Sequence, residues 1–293
     1  MIKKINNLCL SVFLCTLVAS ADPGLASRDL WFLPLGGEFQ STTQGEYLNQ
    51  KEIIPNRDSI NSQVFTLSQG LKYSLYDDWN IGLLVGYQTL RTTVASVRTS
   101  TSGLNDPEFS VLYRITDQIY WPVFFDAALV LSPTFGRDQD NNVLRGSTKA
   151  DFSLAFGQEL YAWSYKFTGF ADWFSTEDHG RGTAAYSIKS RVDFGLNGAL
   201  QFDFDPEWAA FLELGLKLPG KQQYVDSLAY KDPTFEFSAQ FGPSYQVHRD
   251  LSFAFRLFLK HEKGVSRGKA ALDKETDYTL DSYGTNLALN YNF

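Results

Sequence analysis

The sequence predicts an all-β fold, a transmembrane up-and-down antiparallel β-barrel of about twelve strands. Three observations predict it. Apolar residues recur on every second position in segment after segment, the period of a strand whose two faces differ. Short polar breaks between these segments alternate with long ones, as when a barrel has tight turns at one rim and open loops at the other. Aromatics make up 15% of the chain while mean hydropathy is slightly negative. Half-apolar strands have that composition, and after residue 21 no run nears the ~20 apolar residues of a membrane helix.

The N-terminus starts with Lys3 and Lys4, continues as a short apolar run from Leu8 to Val18, and reaches Ala19-Ser20-Ala21 before Asp22. That order predicts a secretory signal peptide over 1–21, cleaved to leave 22–293 as one barrel domain. The rival reading, a retained anchor, needs a longer run. Cys9 and Cys15 both lie in the signal, each after a Leu rather than the small residue a lipoprotein signal wants. The mature chain is therefore expected to hold no cysteine and no disulfide. Losing Lys3 and Lys4 takes the formal charge from −7 to −9. Such acidity argues against nucleic acid as a partner, since that calls for clustered Lys and Arg.

The strands follow in order, each ~9–14 residues and long enough to cross a bilayer at a tilt. The first carries Trp31, Leu33, Leu35 and Phe39; the second Phe65, Leu67, Leu71, Tyr73 and Leu75. Ile81, Leu83, Val85 and Tyr87 mark the third, and Phe109, Val111, Tyr113 and Ile115 the fourth. The fifth has Val123, Phe125, Leu129 and Leu131, the sixth Phe152, Leu154, Phe156 and Leu160. Tyr165, Phe167 and Trp173 define a less regular seventh, and Val192, Phe194, Leu196, Leu200 and Phe202 the eighth. Trp208, Leu212, Leu214, Leu216 and Leu218 come next, then Phe235, Phe237 and Phe241. Leu251, Phe253, Phe255, Leu257 and Leu259 make the eleventh. The last holds Leu287, Leu289, Tyr291 and the terminal Phe293, with Asn286, Ala288, Asn290 and Asn292 between them.

Tight turns are expected at Tyr76–Trp79, Thr116–Gln118, Ala162-Trp163, Asp203–Pro206 and Val247–Asp250. Long polar connections are expected at 43–61, 93–106, 133–148, 175–187, 219–233 and 261–279. An even number of strands then puts both termini on the periplasmic side. A secreted soluble sandwich or lipocalin-like barrel also alternates, with its apolar face inside. The regular turn pattern and the Tyr and Trp near so many strand ends favour the membrane barrel and its two aromatic girdles.

With the apolar phase toward lipid, the other phase lines the lumen. It holds Lys72, Glu108, Arg114, Asp126, Asp151, Glu159, Lys166, Asp172, Arg191, Asp193, Glu213, Lys217, Glu236, Arg256 and Lys260. Lys or Arg on the lipid face costs about 2–4 kcal/mol at midplane, so their gathering in one phase says which face is which. Centring a hairpin on Ala162-Trp163 sets Glu159 opposite Lys166 as an ion pair. In the outer half Glu108, Asp151, Asp172, Asp193 and Glu236 face Arg191, Lys217 and Lys260. That excess of acids predicts a mild preference for cations or neutral solutes. The plainer role for any one of these charges is a paired or solvated wall. Phe124, Phe170, Phe174, Phe211 and Phe258 share the lumen phase. They either line a path for aromatic or aliphatic compounds or fill a narrow lumen.

The final strand and its terminal Phe293 are similar to the C-terminal strand of Gram-negative outer-membrane barrels, where the last Phe belongs to the assembly signal. The stretch Ser102-Gly103-Leu104-Asn105-Asp106-Pro107-Glu108-Phe109-Ser110-Val111-Leu112-Tyr113-Arg114 resembles a recurring segment of one outer-membrane family. That family is named for the MetA pathway of phenol degradation and is related to fatty-acid-transporter-type barrels. Its segment is a Gly-Leu-Gly-Asp turn leading into a strand that ends in Tyr-Arg; here Asn105 stands for the second Gly. Gly146-Ser147-Thr148-Lys149-Ala150-Asp151-Phe152-Ser153-Leu154 is similar to the family's Thr-Asp-Phe-Ser-Leu strand start. The resemblance implies an outer-membrane location, contact with lipid and with the barrel-assembly machinery, and passive transport of small, often hydrophobic or aromatic solutes. It implies no cofactor. Only Asp22 to Asp29 precede the first expected strand, too few for the N-terminal plug of fatty-acid transporters.

Two other classes stay open. A surface or structural protein would use the long loops and keep no open pore. A barrel hydrolase needs a fixed carboxylate–imidazole–hydroxyl relay, and the chain offers Ser175, Asp178 and His179 in one loop, with His248 and His261 elsewhere. Adjacent Asp178 and His179 beside Gly180 are poorly placed for it, and no His or Cys spacing suggests a metal site.

Overall fold

Alternating sequence becomes strand along nearly the whole chain. The computed structural model describes residues 32–55, 59–117, 121–134, 146–179, 186–225, 229–248, 250–267 and 275–293. Its strands are β1 (Phe39–Ile53), β2 (Ile60–Tyr76), β3 (Trp79–Val94), β4 (Val97–Leu104), β5 (Glu108–Thr116), β6 (Phe124–Ser132), β7 (Lys149–Leu160) and β8 (Trp163–Phe174). They continue as β9 (Glu177–His179), β10 (Tyr186–Ile188), β11 (Arg191–Asp203), β12 (Trp208–Leu218), β13 (Gln222–Gln223), β14 (Tyr230–His248), β15 (Leu251–Arg267) and β16 (Thr276–Asn292). β4 and β5 are one stave, both paired with β3 and interrupted at 105–107. β9 pairs with β10, and β13 with β14, outside the wall proper. The remaining order is cyclic, each stave antiparallel to the next, and closes where β12 meets β14 and β1 meets β16. The result is a closed twelve-stranded antiparallel barrel.

The register gives the barrel its size. Phe39 leads straight across the pairs through Tyr73, Ile81, Val111, Leu129, Phe152, Ala171 and Phe194 to Leu218. One step past the Lys217–Glu236 pair the path resumes at Phe235 and runs by Lys263 and Thr279 to Ile53. One circuit thus returns to β1 fourteen residues above its start. Twelve strands with that stagger tilt by roughly 40° and stand about 12 Å from the axis.

The two faces are inverted relative to a water-soluble protein. Outward residues are large, apolar and exposed: Phe65 at 51%, Phe194 at 57% and Leu196 at 67%. Inward charges are covered, with Asp126 at 3% and Asp193 at 4%. Aromatic pairs ring the tight-turn rim: Phe39 with Tyr73 at 4.6 Å, Trp79 with Tyr113 at 4.6 Å, Trp163 with Phe202 at 4.3 Å and Trp208 with Tyr245 at 4.6 Å. Tyr47, Tyr87 and Tyr283 form part of a second exposed ring. Eight residues separate Phe39 from Tyr47, about 20 Å along the axis at this tilt, close to the ~25 Å apolar band of such barrels.

Several boundaries differ from the sequence expectation. The first strand does not lie on Leu33 and Leu35, which precede β1, and Trp31 is outside the described residues. β1 presents Ser41, Thr43 and Gly45 outward, so no apolar ladder marked it. The expected long connections at 43–61, 93–106 and 261–279 are mostly strand, because β1, β3, β4, β15 and β16 rise beyond the apolar band with polar outer faces. β3 turns into β4 through Ala95 and Ser96, with φ of 47° and 71°, the left-handed pair that suits a two-residue hairpin. Residues 135–145 and 180–185 of two expected loops lie outside the described residues. β6 begins at Phe124, so Val123 belongs to the preceding turn.

Candidate functional site: the barrel lumen

Alternation along each stave sends one phase inward, and the richest inward cluster is carried by β7, β8, β11 and β12. Register places Asp151, Asp172 and Asp193 side by side on three neighbouring strands. Three adjacent carboxylates repel unless cations sit between them. Lys217 donates to Asp172 at 2.9 Å and approaches Asp193 at 2.8 Å. Lys149 donates to Asp151 at 2.7 Å and stands 3.9 Å from Asp172. Arg191 bonds Glu177 of β9, lies 3.7 Å from Asp193, and covers the Phe174 ring at 4.1 Å. Lys149 and Lys217 lie 5.6 and 5.9 Å from the same ring centroid. Phe174 is therefore roofed by three cations instead of facing open water.

The facing wall has a second outer group. Lys260 meets Glu236 at 2.7 Å. Lys231 reaches Glu52 at 3.4 Å and Glu262 at 3.5 Å, and the Tyr278 hydroxyl donates to Glu262 at 2.7 Å. Above the apolar band, burial and then the Glu262 carboxylate push the Tyr278 phenol far above its ordinary range. Glu52, Lys231, Glu262 and Tyr278 were hidden from sequence reading because the stretches that hold them passed for loops. Nearby, β10 and β13 bridge across the same mouth. Lys189 N–H donates to Gln223 O at 2.8 Å, Val225 N–H to Ser187 O at 2.8 Å, and the Tyr186 and Tyr224 rings lie 5.4 Å apart. Burial, then Glu52 and Glu177 from opposite sides of the barrel, raise the Tyr224 phenol. Tyr224 thus hangs over the opening.

The tight-turn half differs in charge. Arg114 holds Asp126 in a two-pronged contact of 2.9 and 3.1 Å and covers Phe124 at 4.7 Å. Arg256 donates to the Pro243 and Phe255 carbonyls at 2.8 and 3.1 Å and covers Phe211 at 4.4 Å. Gln240 donates to Glu213 at 2.9 Å. Lys166 is within electrostatic reach of Asp126, Arg114, Lys72 and Glu213, and Lys72 itself is exposed. In the outer half Glu52, Asp151, Asp172, Glu177, Asp193, Glu236 and Glu262 outnumber Lys149, Arg191, Lys217, Lys231 and Lys260. At this inner level Lys72, Arg114, Lys166 and Arg256 are matched in number by Asp126, Glu159, Asp203 and Glu213. The acid excess of the outer half is therefore absent at the inner level, which an argument from the outer acids alone does not foresee.

The hairpin at β7–β8 turns on Tyr161-Ala162, since Leu160 pairs with Trp163. Glu159 therefore stands opposite Ser164, and Lys166 opposite Gly157. The expected direct pairing of Glu159 with Lys166 is replaced by a diagonal relation. Glu108 stands opposite Leu84. Phe170 and Phe258 lie flat on glycines: a Cβ at Gly195 would come within 2.1 Å of the Phe170 ring, and one at Gly284 within 2.5 Å of Phe258. These two rings are thus folded against the wall, while Phe124, Phe174 and Phe211 lie under cations. Sequence reading also missed inward aliphatics. Leu48, Val64 and Leu90 face one another across three strands, while Leu84, Leu112 and Val130 sit lower on β3, β5 and β6. The signal was available, since apolar residues fall in both phases of these strands.

Of the Ser175, Asp178 and His179 group, Asp178 accepts the Ser187 hydroxyl at 2.6 Å and Ser175 accepts the Thr148 N–H at 2.9 Å. The His179 side chain lies outside the described residues.

No protein-family model and no curated protein sequence matches the chain. Among solved structures it is similar to an outer-membrane channel from Pseudomonas putida F1, with a TM-score of 0.60 and 18% identity over 94% of this chain and 100% of that one. It is also similar to the translocator domain of the autotransporter NalP from Neisseria meningitidis, with a TM-score of 0.52 and 9% identity over 99% of this chain and 96% of that domain. The shared property is the fold, a closed antiparallel barrel of the outer-membrane type.

Proposed function

We propose that the protein is a channel of the Gram-negative outer membrane through which small, apolar or aromatic solutes diffuse passively. The inverted distribution of side chains carries this reading: exposed Leu and Phe ladders outside, and a charged, partly aromatic interior within a closed wall. Solutes would enter past Tyr224, pass between the ion-paired outer wall and the inward aliphatics of β2, β3, β5 and β6, and leave beside Lys72. The exposure of Lys72 on the inward face supports water-filled space at the inner level. Residues 1–21 act in this reading as a removed secretion signal, and both termini face the periplasm.

Phe293 supports recognition by the barrel-assembly machinery. Its N–H and C=O both pair with Phe39, at 2.8 and 2.7 Å, and the two rings stack at 5.5 Å. The terminal residue is thus part of the closing seam. Swelling of proteoliposomes in a panel of neutral, anionic, cationic and aromatic solutes tests the function. Faster entry of aromatic than of equally sized sugar solutes is expected; liposomes that stay sealed to every solute would refute it.

A further inference from the structure

We infer that the inner level of the lumen is a binding site for small amphiphilic carboxylates, with Lys72 as the residue that meets the carboxylate. The inference rests on the channel reading and adds a ligand class to it. Lys72 is set apart from the other inward cations of this level. Arg114 is neutralised by Asp126 at 2.9 Å. Arg256 is tied to backbone carbonyls and laid on Phe211. Lys166 lies within reach of both Asp126 and Glu213. Lys72 is exposed and has no hydrogen-bond or ion-pair partner among the described residues.

No carboxylate pairs with it, and the nearest inward acid by register, Glu108, stands two strands away beside Leu84. Register sets Lys72 between Gln40 of β1 and Gly82 of β3, and Gly70 is the preceding inward residue on its own strand. A Cβ on Gly82 would come within 2.4 Å of the Ser110 hydroxyl and 3.3 Å of the Lys72 stem, so the glycine lets that stem and hydroxyl lie close over β3. Leu84 lies across from Gly70, Val130 stands in the row of Lys72, Gly82 and Ser110, and Leu112 lies one inward position below that row, opposite Asn80. Lys166, from the far side of the barrel, adds a second positive field that reaches Lys72. An ammonium without a carboxylate, flanked by aliphatic side chains, recognises an anion with an apolar body. A cation is repelled by the two lysines, and a bare inorganic anion makes no use of Leu84, Leu112 and Val130.

The test is potassium current through the full-length mature protein in planar bilayers, with benzoate, benzyl alcohol, benzylamine and inorganic phosphate added on the periplasmic side. Benzoate is expected to interrupt the current at concentrations at least tenfold below those of the other three. Lys72→Met is expected to remove that advantage tenfold, and Lys72→Arg to keep it. Equal action of benzoate and benzyl alcohol, or of benzoate and phosphate, overturns the inference without any variant. A Lys72→Met channel that still prefers benzoate overturns the assignment of Lys72. A wild-type protein that inserts and folds but conducts nothing refutes the channel reading itself, an outcome distinct from an open channel blind to benzoate.

Discussion

Replacing a single outward Leu by Arg at two heights on β12 tests the orientation of the wall most directly. At a tilt of roughly 40° each residue climbs about 2.5 Å along the axis. Leu212 stands four residues above Trp208 of the lower aromatic rim, thus about 10 Å up and near the middle of a ~25 Å band. Leu218 stands ten residues up, about 25 Å, at the upper edge. Both are exposed, at 42% and 56%. Arg on the lipid face costs about 2–4 kcal/mol at midplane and about 0–1 near an interface. L212R should therefore cost about 3 kcal/mol and L218R less than about 1 kcal/mol. Gln240 opposes Glu213 on the inner face and bonds it at 2.9 Å. Q240R sets a guanidinium beside that carboxylate and should change stability by less than about 1 kcal/mol. Urea unfolding of protein refolded into phospholipid vesicles, followed by tryptophan fluorescence, reads all three. Equal costs for L212R and L218R, or a larger cost for Q240R than for L212R, would show that this phase does not face hydrocarbon.

Other expectations follow from the lumen contacts. K217M leaves Asp172 and Asp193 adjacent without their shared cation, and should cost about 3 kcal/mol in the same unfolding assay; a loss below about 0.5 kcal/mol would mean that lumen water screens the cluster. G195A should swing the Phe170 ring off the wall and lower single-channel conductance, and G195A with F170A should restore it. F211A and F258A should raise solute flux if the rings narrow the passage; unchanged flux would show that they only line it. Removal of Phe293 deletes both backbone bonds to Phe39. It should reduce the heat-modifiable, folded fraction in outer membranes, and an unchanged fraction would show that the seam closes without it.

How much could be read from the residues alone depended on which face carried the signal. Phe109, Val111, Tyr113 and Ile115 lie in lipid-facing phase between small or charged neighbours, so β5 was legible. β1 was not, because its outward Ser41, Thr43 and Gly45 carry no apolar pattern, and periodicity then settled on Leu33 and Leu35 upstream. Strand ends above the band are polar on both faces, so Lys263 and Thr279 read as loop although they pair in β15 and β16. The lumen residues were legible as a phase but not as partners. Which cation meets which acid depends on register, and a one-position shift of the hairpin at Tyr161-Ala162 moved Glu159 from Lys166 to Ser164. The cover over Phe174 and the bareness of Lys72 depend on strands far apart in the chain.

The polar outer face of β1 bears on how the ring is completed. Ser41 and Thr43 turn their hydroxyls to Gln69 of β2, at 2.8 and 2.7 Å, in a region where hydrocarbon offers no partner. Thr42, on the other face, donates to Asn290 of β16 at 2.9 Å. Ser41 and Thr43 are provided for once β2 lies beside β1, whereas Thr42 and the other backbone edge of β1 wait for β16. A half-assembled sheet would carry that edge bare at a free margin, where lipid penalises it and water does not. The first stave made by the ribosome is thus the one least suited to enter the bilayer by itself, and the join between the two ends of the chain belongs late in insertion, as the keystone belongs last in an arch.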